Sequence, residues 1–268
     1  MRVLDVGCGQ GHWGQALAHV LPRDSTVVGI DRERDWVTAA QRRSEALAYL
    51  PITFEYAVGD ILAIDLGIDT FDLVTCQTVL IHIDRPLDAL GAMLRVLRPN
   101  GWIVCAEPNN LVGAVTFDSR AWESQLESLP DDVELTWRCE LGKARLGEGF
   151  NSAGELLPGW LASLGVQSLQ VYMSDKAVPV WPPYTEPGMA EVVAEARRQL
   201  HDKRLVYDKQ HTKRYWMAGG GNERRFESLW EASLAELARC VKSMDDETWS
   251  SAGGALMYVV AGKKPFER

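Results

Sequence analysis

Val3-Leu4-Asp5-Val6-Gly7-Cys8-Gly9-Gln10-Gly11-His12-Trp13-Gly14 is the stretch whose reading decides the fold. An apolar run carrying one carboxylate enters a loop with glycines at 7, 9 and 11, and apolar residues then recur at helical spacing at Trp13, Ala16, Leu17, Val20 and Leu21. The pattern is strand, glycine turn, helix. Glycine permits the turn and exposes bare backbone to a ligand, while the helix start presents unpaired N–H groups. Three alternating glycines cost conformational entropy with no packing return if the turn holds nothing, so a nucleotide-type ligand is expected. Gly9 to Gly14 also satisfies G-x-G-x-x-G, the dinucleotide fingerprint, in which a pyrophosphate rests on the helix N-terminus. Asp5, just before the first glycine, would repel phosphates there and suits a ligand with a cationic or zwitterionic tail.

With 268 residues, 46% of them apolar, the chain can bury the core of one domain, or of one domain carrying a substantial insertion. A net charge of -9 argues against nucleic acid or anionic membrane as the main partner, because phosphate binding rests on Lys and Arg. Cysteines 8, 76, 105, 139 and 240 are odd in number and widely spaced, which suggests neither a disulfide framework nor a metal site and fits a reducing cytoplasm. No apolar run reaches bilayer length, and Met1 opens directly on the first strand without a basic, apolar leader.

Downstream, Ser25 to Asp31 reads as a second strand ending in a carboxylate. Asp31 lies about twenty residues beyond Gly9, the spacing at which an acidic side chain accepts both ribose hydroxyls of an adenosine. Capping of the next helix, Arg34 to Leu50, is its other available role. Ile52 to Val58 alternates as a third strand and ends in Gly59-Asp60-Ile61, by itself an ordinary turn. Phe71 to Cys76 is a continuous apolar strand of the buried parallel kind, with Gln77 and Thr78 at its carboxyl tip, where open α/β sheets place ligands. A helix follows, with Asp84 as its expected N-cap, Pro86 in its first turn and Leu87, Leu90, Leu94 and Leu97 as its buried stripe. Arg98-Pro99-Asn100-Gly101 stops it, and Trp102 to Ala106 is strand five.

These ordered motifs resemble the class I S-adenosylmethionine-dependent methyltransferases, whose first motif is an apolar strand, Asp/Glu-x-Gly-x-Gly-x-Gly and a helix. The resemblance covers residues 1 to 110 closely, and the subgroup it favours is the small-molecule enzymes of the ubiquinone and menaquinone biosynthesis type. It implies an α/β, Rossmann-like, seven-stranded and mostly parallel sheet of order 3-2-1-4-5-7-6 with the last strand antiparallel. S-adenosyl-L-methionine is the implied cofactor and S-adenosyl-L-homocysteine its product. The implied cofactor contacts are Asp5, Gly7, Cys8, Gly9, Gly11 and Trp13 around the cradle, Asp31 and Arg32 at the second strand, Asp60 and Ile61 at the adenine, and Gln77 and Thr78 at the fourth strand. At the end of strand five, Glu107 and Asn109 are expected to face the acceptor, with a loop that merely caps the sheet as the alternative. Family members usually carry a helix before the first motif, so either the native start lies upstream of Met1 or later segments supply that cover.

Leu156 to Leu164 reads as a helix and Val166 to Met173 as strand six, while Ala255 to Ala261 is the last strand. The roughly eighty residues between them far exceed a normal connection. Met189 to Leu205 and Glu223 to Met244 look like long helices, separated by Gly219-Gly220-Gly221, which reads as a hinge or a flexible loop. The expected division is therefore a methyltransferase domain at 1–176 and 252–268, with a helical lid at 177–251. Phe117 to Leu129 is also expected to be helical. The later part of the chain is rich in tryptophan, and Trp181-Pro182-Pro183-Tyr184 is the segment expected to supply aromatic acceptor contacts, through Trp181 and Tyr184.

Methyl transfer from a sulfonium needs mainly alignment, and a base only where the acceptor must lose a proton early. His82, just beyond the tip of strand four, is the leading base, with a packing role as its alternative; Glu107, His12, Tyr184 and Tyr215 are weaker candidates. A small-molecule acceptor is the expected partner, and the sequence does not specify an oligomeric state. Two other classes fit parts of the pattern: a nicotinamide-dependent oxidoreductase, which Asp5 opposes, and a non-catalytic S-adenosylmethionine binder. No nucleic-acid methyltransferase signature occupies the tip of strand four, which reads Thr75-Cys76-Gln77-Thr78.

Overall fold

The computed structural model describes residues 1–63, 66–122, 126–174, 177–254 and 256–266. Lys176, the expected domain boundary, Ala255, the expected start of the last strand, and residues 123–125 of the Phe117 to Leu129 stretch lie outside the described residues. The strands are β1 (Arg2–Val6), β2 (Ser25–Asp31), β3 (Ile52–Val58), β4 (Phe71–Gln77), β5 (Leu97–Asn109), β6 (Gln167–Met173) and β7 (Leu256–Lys263). The α-helices are α1 (His12–Leu17), α2 (Arg34–Glu45), α3 (Pro86–Val96), α4 (Leu126–Arg145), α5 (Leu157–Ser163), α6 (Pro187–His201), α7 (Lys209–Ala218) and α8 (Glu223–Asp245). The chain divides into two compact units, one of Met1–Pro108, Ser152–Met173 and Met257–Arg268, the other of Asn109–Asn151 and Ser174–Leu256.

In the first unit the seven strands form one sheet of order β3-β2-β1-β4-β5-β7-β6. β1 pairs in parallel with β2 and β4, β2 with β3 and β4 with β5, while β6 and β7 are antiparallel. Strand alternation divides the apolar residues between the faces: Leu4, Val6, Val28, Ile30 and Val74 join one core with Leu90 and Met93 of α3, and Val3, Val27 and Leu73 join another. Burial on both faces is why these strands read as continuous apolar runs. Because β1 is flanked by β2 on one side and β4 on the other, the connections from their carboxyl ends diverge and leave a crevice at that edge.

Local details differ from the sequence reading. α1 ends at Leu17, and Val20, expected on its buried face, is 78% exposed. α2 ends at Glu45 instead of Leu50. Arg85, not Asp84, occupies the N-cap position of α3, with no side-chain cap bond. Leu87 is 41% exposed, and the buried face of α3 is instead made by Ala89, Leu90, Met93 and Leu94, turned slightly around the helix. β5 begins at Leu97, before the Pro99-Asn100-Gly101 turn, and absorbs it through a register shift between Phe71 and Leu73 of β4.

The second unit is wider than the expected 177–251 segment, since residues Asn109–Asn151 belong to it. The reason is packing: Leu135 of α4 shares a core with Trp216 of α7 and with Phe226, Leu229 and Trp230 of α8. α7 itself is absent from the sequence reading, which ran one long helix to Leu205 and resumed at Glu223. Gly219-Gly220-Gly221 forms a turn packed at its two ends. A Cβ at Gly219 would overlap the Arg138 carbonyl and one at Gly221 the Trp216 indole, so the turn is glycine-rich because backbone and ring press on it. Gly142 likewise lets α4 lie against the Tyr215 carbonyl of α7. Gly142→Ala is therefore expected to destabilise the second unit by about 3 kcal/mol, the upper part of the overpacking range, measurable by urea unfolding followed through the tryptophans. An unchanged midpoint would mean that α4 and α7 are not in backbone contact.

Candidate cofactor and active site

The glycine loop between β1 and α1 is left-handed at Gly7 (φ +63°), Gly9 (φ +50°) and Gly11 (φ +81°). The three glycines serve different ends. A Cβ at Gly7 would come within 2.5 Å of Val79, and one at Gly11 within 2.6 Å of Gln15 and 2.9 Å of the Tyr56 hydroxyl. Those two are required by packing, contrary to the expectation that the loop has no packing return. At Gly9 nothing stands within 4 Å of an added Cβ, so its bare face opens onto free space. The cradle is backed by buried Gln15, whose amide donates to the Ala40 carbonyl at 3.1 Å and to the Tyr56 hydroxyl at 3.0 Å. Gln15 and Tyr56 went unrecognised in the sequence, where only the helical offset of Gln15 from Gly11 pointed to the loop.

Asp5 shares the face of Val3, beneath α1. It is 1% exposed, and its Oδ2 accepts from the Gly14 N–H at 2.9 Å. Oδ1 is buried with no hydrogen-bond partner among the described residues. Burial pushes its carboxyl up from the ordinary 3.8 to about 7, the Gly14 N–H opposing and the nearby Asp31 charge adding to the rise. The carboxylate lies at the cradle, but as an interior group whose charged form burial disfavours, not as an exposed charge at the strand's mouth.

Asp31, at the tip of β2, joins the two loops that follow β1 and β2. Its Oδ2 accepts from Gly9 N–H and its Oδ1 from Glu33 N–H, both at 2.9 Å. The N-cap position of α2 is Glu33, so Asp31 braces the segment entering that helix without capping it. Each carboxylate oxygen retains a further lone pair for an outside donor. At the tip of β3, Asp60 Oδ1 accepts from Leu62 N–H at 2.8 Å, and the Ile61 side chain is buried in the core. The Cys8 thiol, in the loop, contacts the Gly9 carbonyl at 3.6 Å and is pushed well above the usual thiol range by burial and by the charges of Asp5 and Asp31. Both effects disfavour the nucleophilic thiolate.

Trp13 reaches across to β4, where its indole N–H donates to the Thr75 hydroxyl at 2.7 Å, which donates in turn to the Val104 carbonyl at 2.6 Å. Its polar atom is thus committed to the sheet. Arg32 is exposed, and Gln77 is half-buried at the tip of β4. Thr78 follows with φ +54°, a left-handed conformation rare for a β-branched residue, and its N–H donates to the Ala106 carbonyl at 2.9 Å. His82 is exposed at the end of the short 3₁₀ turn Leu80–His82. His12, a weaker base candidate, lies 3.1 Å from the Arg43 guanidinium.

Glu107 corrects the sequence reading. Expected to face an acceptor, its side chain is fully buried, with Oε1 accepting from Val79 and Leu80 N–H at 2.9 and 3.0 Å. Asn109, Trp181 and Tyr184 belong to the second unit. The Asn109 side chain accepts from Leu111 N–H at 3.1 Å as the cap of the next turn. Tyr184 is a core residue, its hydroxyl donating to the Trp249 carbonyl at 2.8 Å and its ring packed with Val180 and Met189, which corrects its assignment as an acceptor contact. Trp181 is 52% exposed. The Tyr215 hydroxyl is likewise committed, to Glu148 at 2.8 Å.

The arrangement therefore collects, in one unit, an open backbone face at Gly9, an interior carboxylate with a spare oxygen, and a surface carboxylate tied to the same loop. A model of a methyltransferase domain family matches residues 1–154. A ubiquinone biosynthesis O-methyltransferase of Paracidovorax citrulli is 33% identical over 129 residues, covering 48% of this chain and 52% of that protein. A demethylmenaquinone methyltransferase of Bacillus cereus is 30% identical over 106 residues, covering 40% of this chain and 44% of that protein. The chain thus spans about half the length, or less, of these curated relatives. In fold it is similar to a putative methyltransferase of Bacillus halodurans, at 16% identity and a TM-score of 0.54, covering 99% of this chain and 93% of that one. With the family model matching more than half its length and the sheet order that the motif implied, the chain belongs to the methyltransferase domain family, in the class I S-adenosylmethionine-dependent group.

Proposed function

We propose that this protein transfers a methyl group from S-adenosylmethionine to a small-molecule acceptor. The observation that carries the reading is the pairing of Gly9 and Asp31: the loop N–H that is tied to the carboxylate belongs to the one of the three loop glycines whose face is open. The residues fit the cofactor. Asp31 keeps acceptor capacity for ribose hydroxyls, Asp60 stands at the tip of β3 for the adenine, and Asp5 holds a buried oxygen in need of a donor, which an ammonium supplies. When bound, the cofactor supplies a methyl group already activated by its sulfonium. The chain's own contribution is alignment, worth roughly 7–11 kcal/mol at best. The names of the two curated relatives make acceptors of quinone biosynthesis the first to assay, and the unpaired cysteines suit a cytoplasmic setting.

Calorimetry should show binding of S-adenosylhomocysteine and none of NAD; the reverse preference would overturn the reading. Transfer of labelled methyl to a panel of phenolic and quinol acceptors would then separate an enzyme from a binder. We take His82, exposed at the end of the short turn beyond β4, as the candidate base. His82→Ala is expected to lower kcat by about 100-fold with little change in the KM for S-adenosylmethionine. Intact turnover would reduce His82 to a packing role.

A further inference from the structure

One buried side chain joins the end of β5 to the turn after β4. Glu107 Oε1 accepts from Val79 N–H at 2.9 Å and Leu80 N–H at 3.0 Å, Oε2 from Ile81 N–H at 3.4 Å, and the Cys76 thiol lies 3.7 Å from Oε1. Three successive N–H groups at the start of a 3₁₀ turn make a small anion receptor, and here the anion is the protein's own. The turn has need of it. Thr78, immediately before, is held at φ +54°, a strain that persists only where the surroundings over-determine it. Val79, the first residue held, fills the place where a Cβ at Gly7 would stand. Glu107 therefore reaches the glycine cradle through one intermediate side chain.

We propose that Glu107 is a positioning residue: its carboxylate sets the Thr78–His82 turn and, by pressing Val79 against Gly7, holds the cradle in its binding-competent shape. The second half rests on the methyltransferase reading, whereas the clamp on the turn does not. Burial raises the Glu107 carboxyl to about 6, while the three N–H groups, which favour the charged form, pull it down, so as pH falls through that value the proton relieves the burial of charge but loosens the hold on those N–H groups. Among the described residues Cys76 is the titratable side chain in contact with it, and its thiol is held well above the usual range by neighbouring Cys105 and by burial.

The test has two arms. In the ligand-free wild type, the amide proton resonances of Val79 and Leu80 should titrate with a midpoint near pH 6, and Glu107→Gln should abolish that titration. In the second arm, Glu107→Gln and Glu107→Ala should each weaken S-adenosylhomocysteine by about 10-fold at pH 7.5, the scale of a lost charge-assisted bond, in protein shown to be folded by circular dichroism. If the alanine variant does not fold, the isosteric glutamine carries the comparison. Wild-type affinity in a folded variant, or amides that do not titrate, would overturn the proposal. Failure of the wild type itself to bind S-adenosylhomocysteine would instead overturn the methyltransferase reading and leave the amide arm to decide the clamp.

Discussion

Asp5→Asn is expected to stabilise the ligand-free protein at pH 8 by roughly 2–4 kcal/mol while weakening S-adenosylhomocysteine by 10- to 100-fold. The stability half follows from the raised carboxyl. Unfolded, Asp5 ionises near 3.8; folded, it does so near 7, because burial beside a single N–H donor penalises the charge. The native state therefore holds the proton more tightly, and stability from this group, full below pH 4, is lost progressively as pH rises through 7. A shift of about three units corresponds to about 4 kcal/mol at most. Asparagine cannot ionise, keeps an acceptor for the Gly14 N–H, and must place an NH2 where the orphan oxygen stood, which reduces the gain. Urea unfolding of both proteins at pH 5 and pH 8 checks it: the variant's advantage should grow with pH, and a constant difference would show that Asp5 does not titrate as described. Glu107 titrates in both proteins and cancels in the comparison. The affinity half follows because asparagine offers an ammonium neither charge nor a free carboxylate oxygen. A residue that costs stability and serves binding is the expected signature of a functional site.

Asp31→Ala should weaken S-adenosylhomocysteine by about 1.5–3 kcal/mol, the scale of a lost charge-assisted hydrogen bond. The loss has two sources. The ribose-side acceptor disappears, and so do the bonds to Gly9 and Glu33 N–H that fix the loop relative to the start of α2. Asp31→Asn distinguishes the charge from the shape: its amide oxygen can serve one of the two N–H groups, but its NH2 would meet the other. An asparagine variant nearly as weak as alanine is the expected outcome in calorimetry. Unchanged affinity in the alanine variant would remove Asp31 from the cofactor site.

Both residues stand out in the sequence, for the same reason that the fold does. A parallel strand buried on both faces must be continuously apolar, so a carboxylate near its carboxyl end stands out, as at Asp5 and Asp31. Glu107 stands out by the same logic, at the tip of β5, but its role was misread. Sequence position places a side chain at the crevice edge; it does not say whether the partner is a ligand or a neighbouring N–H. Tyr184 was misread likewise, since an aromatic beside two prolines carries no mark of whether its hydroxyl faces a pocket or the Trp249 carbonyl. Thr78 and Val79 show the converse, their importance lying in a left-handed φ and a contact with Gly7 that no residue pattern encodes.

By itself the sequence determined the order of strands and helices in the first unit, the glycine cradle and the carboxylates around it, because these follow from local periodicity and from backbone freedom at glycine. Only the tertiary structure decided that Asp5 is buried, with its carboxyl pushed up to about 7, that the Glu107 carboxylate accepts from the N–H groups of a turn, and that residues 109–151 join the helices of the second unit. Those outcomes depend on what packs against a side chain from distant parts of the chain, through desolvation and through bonds to N–H groups that periodicity does not reveal.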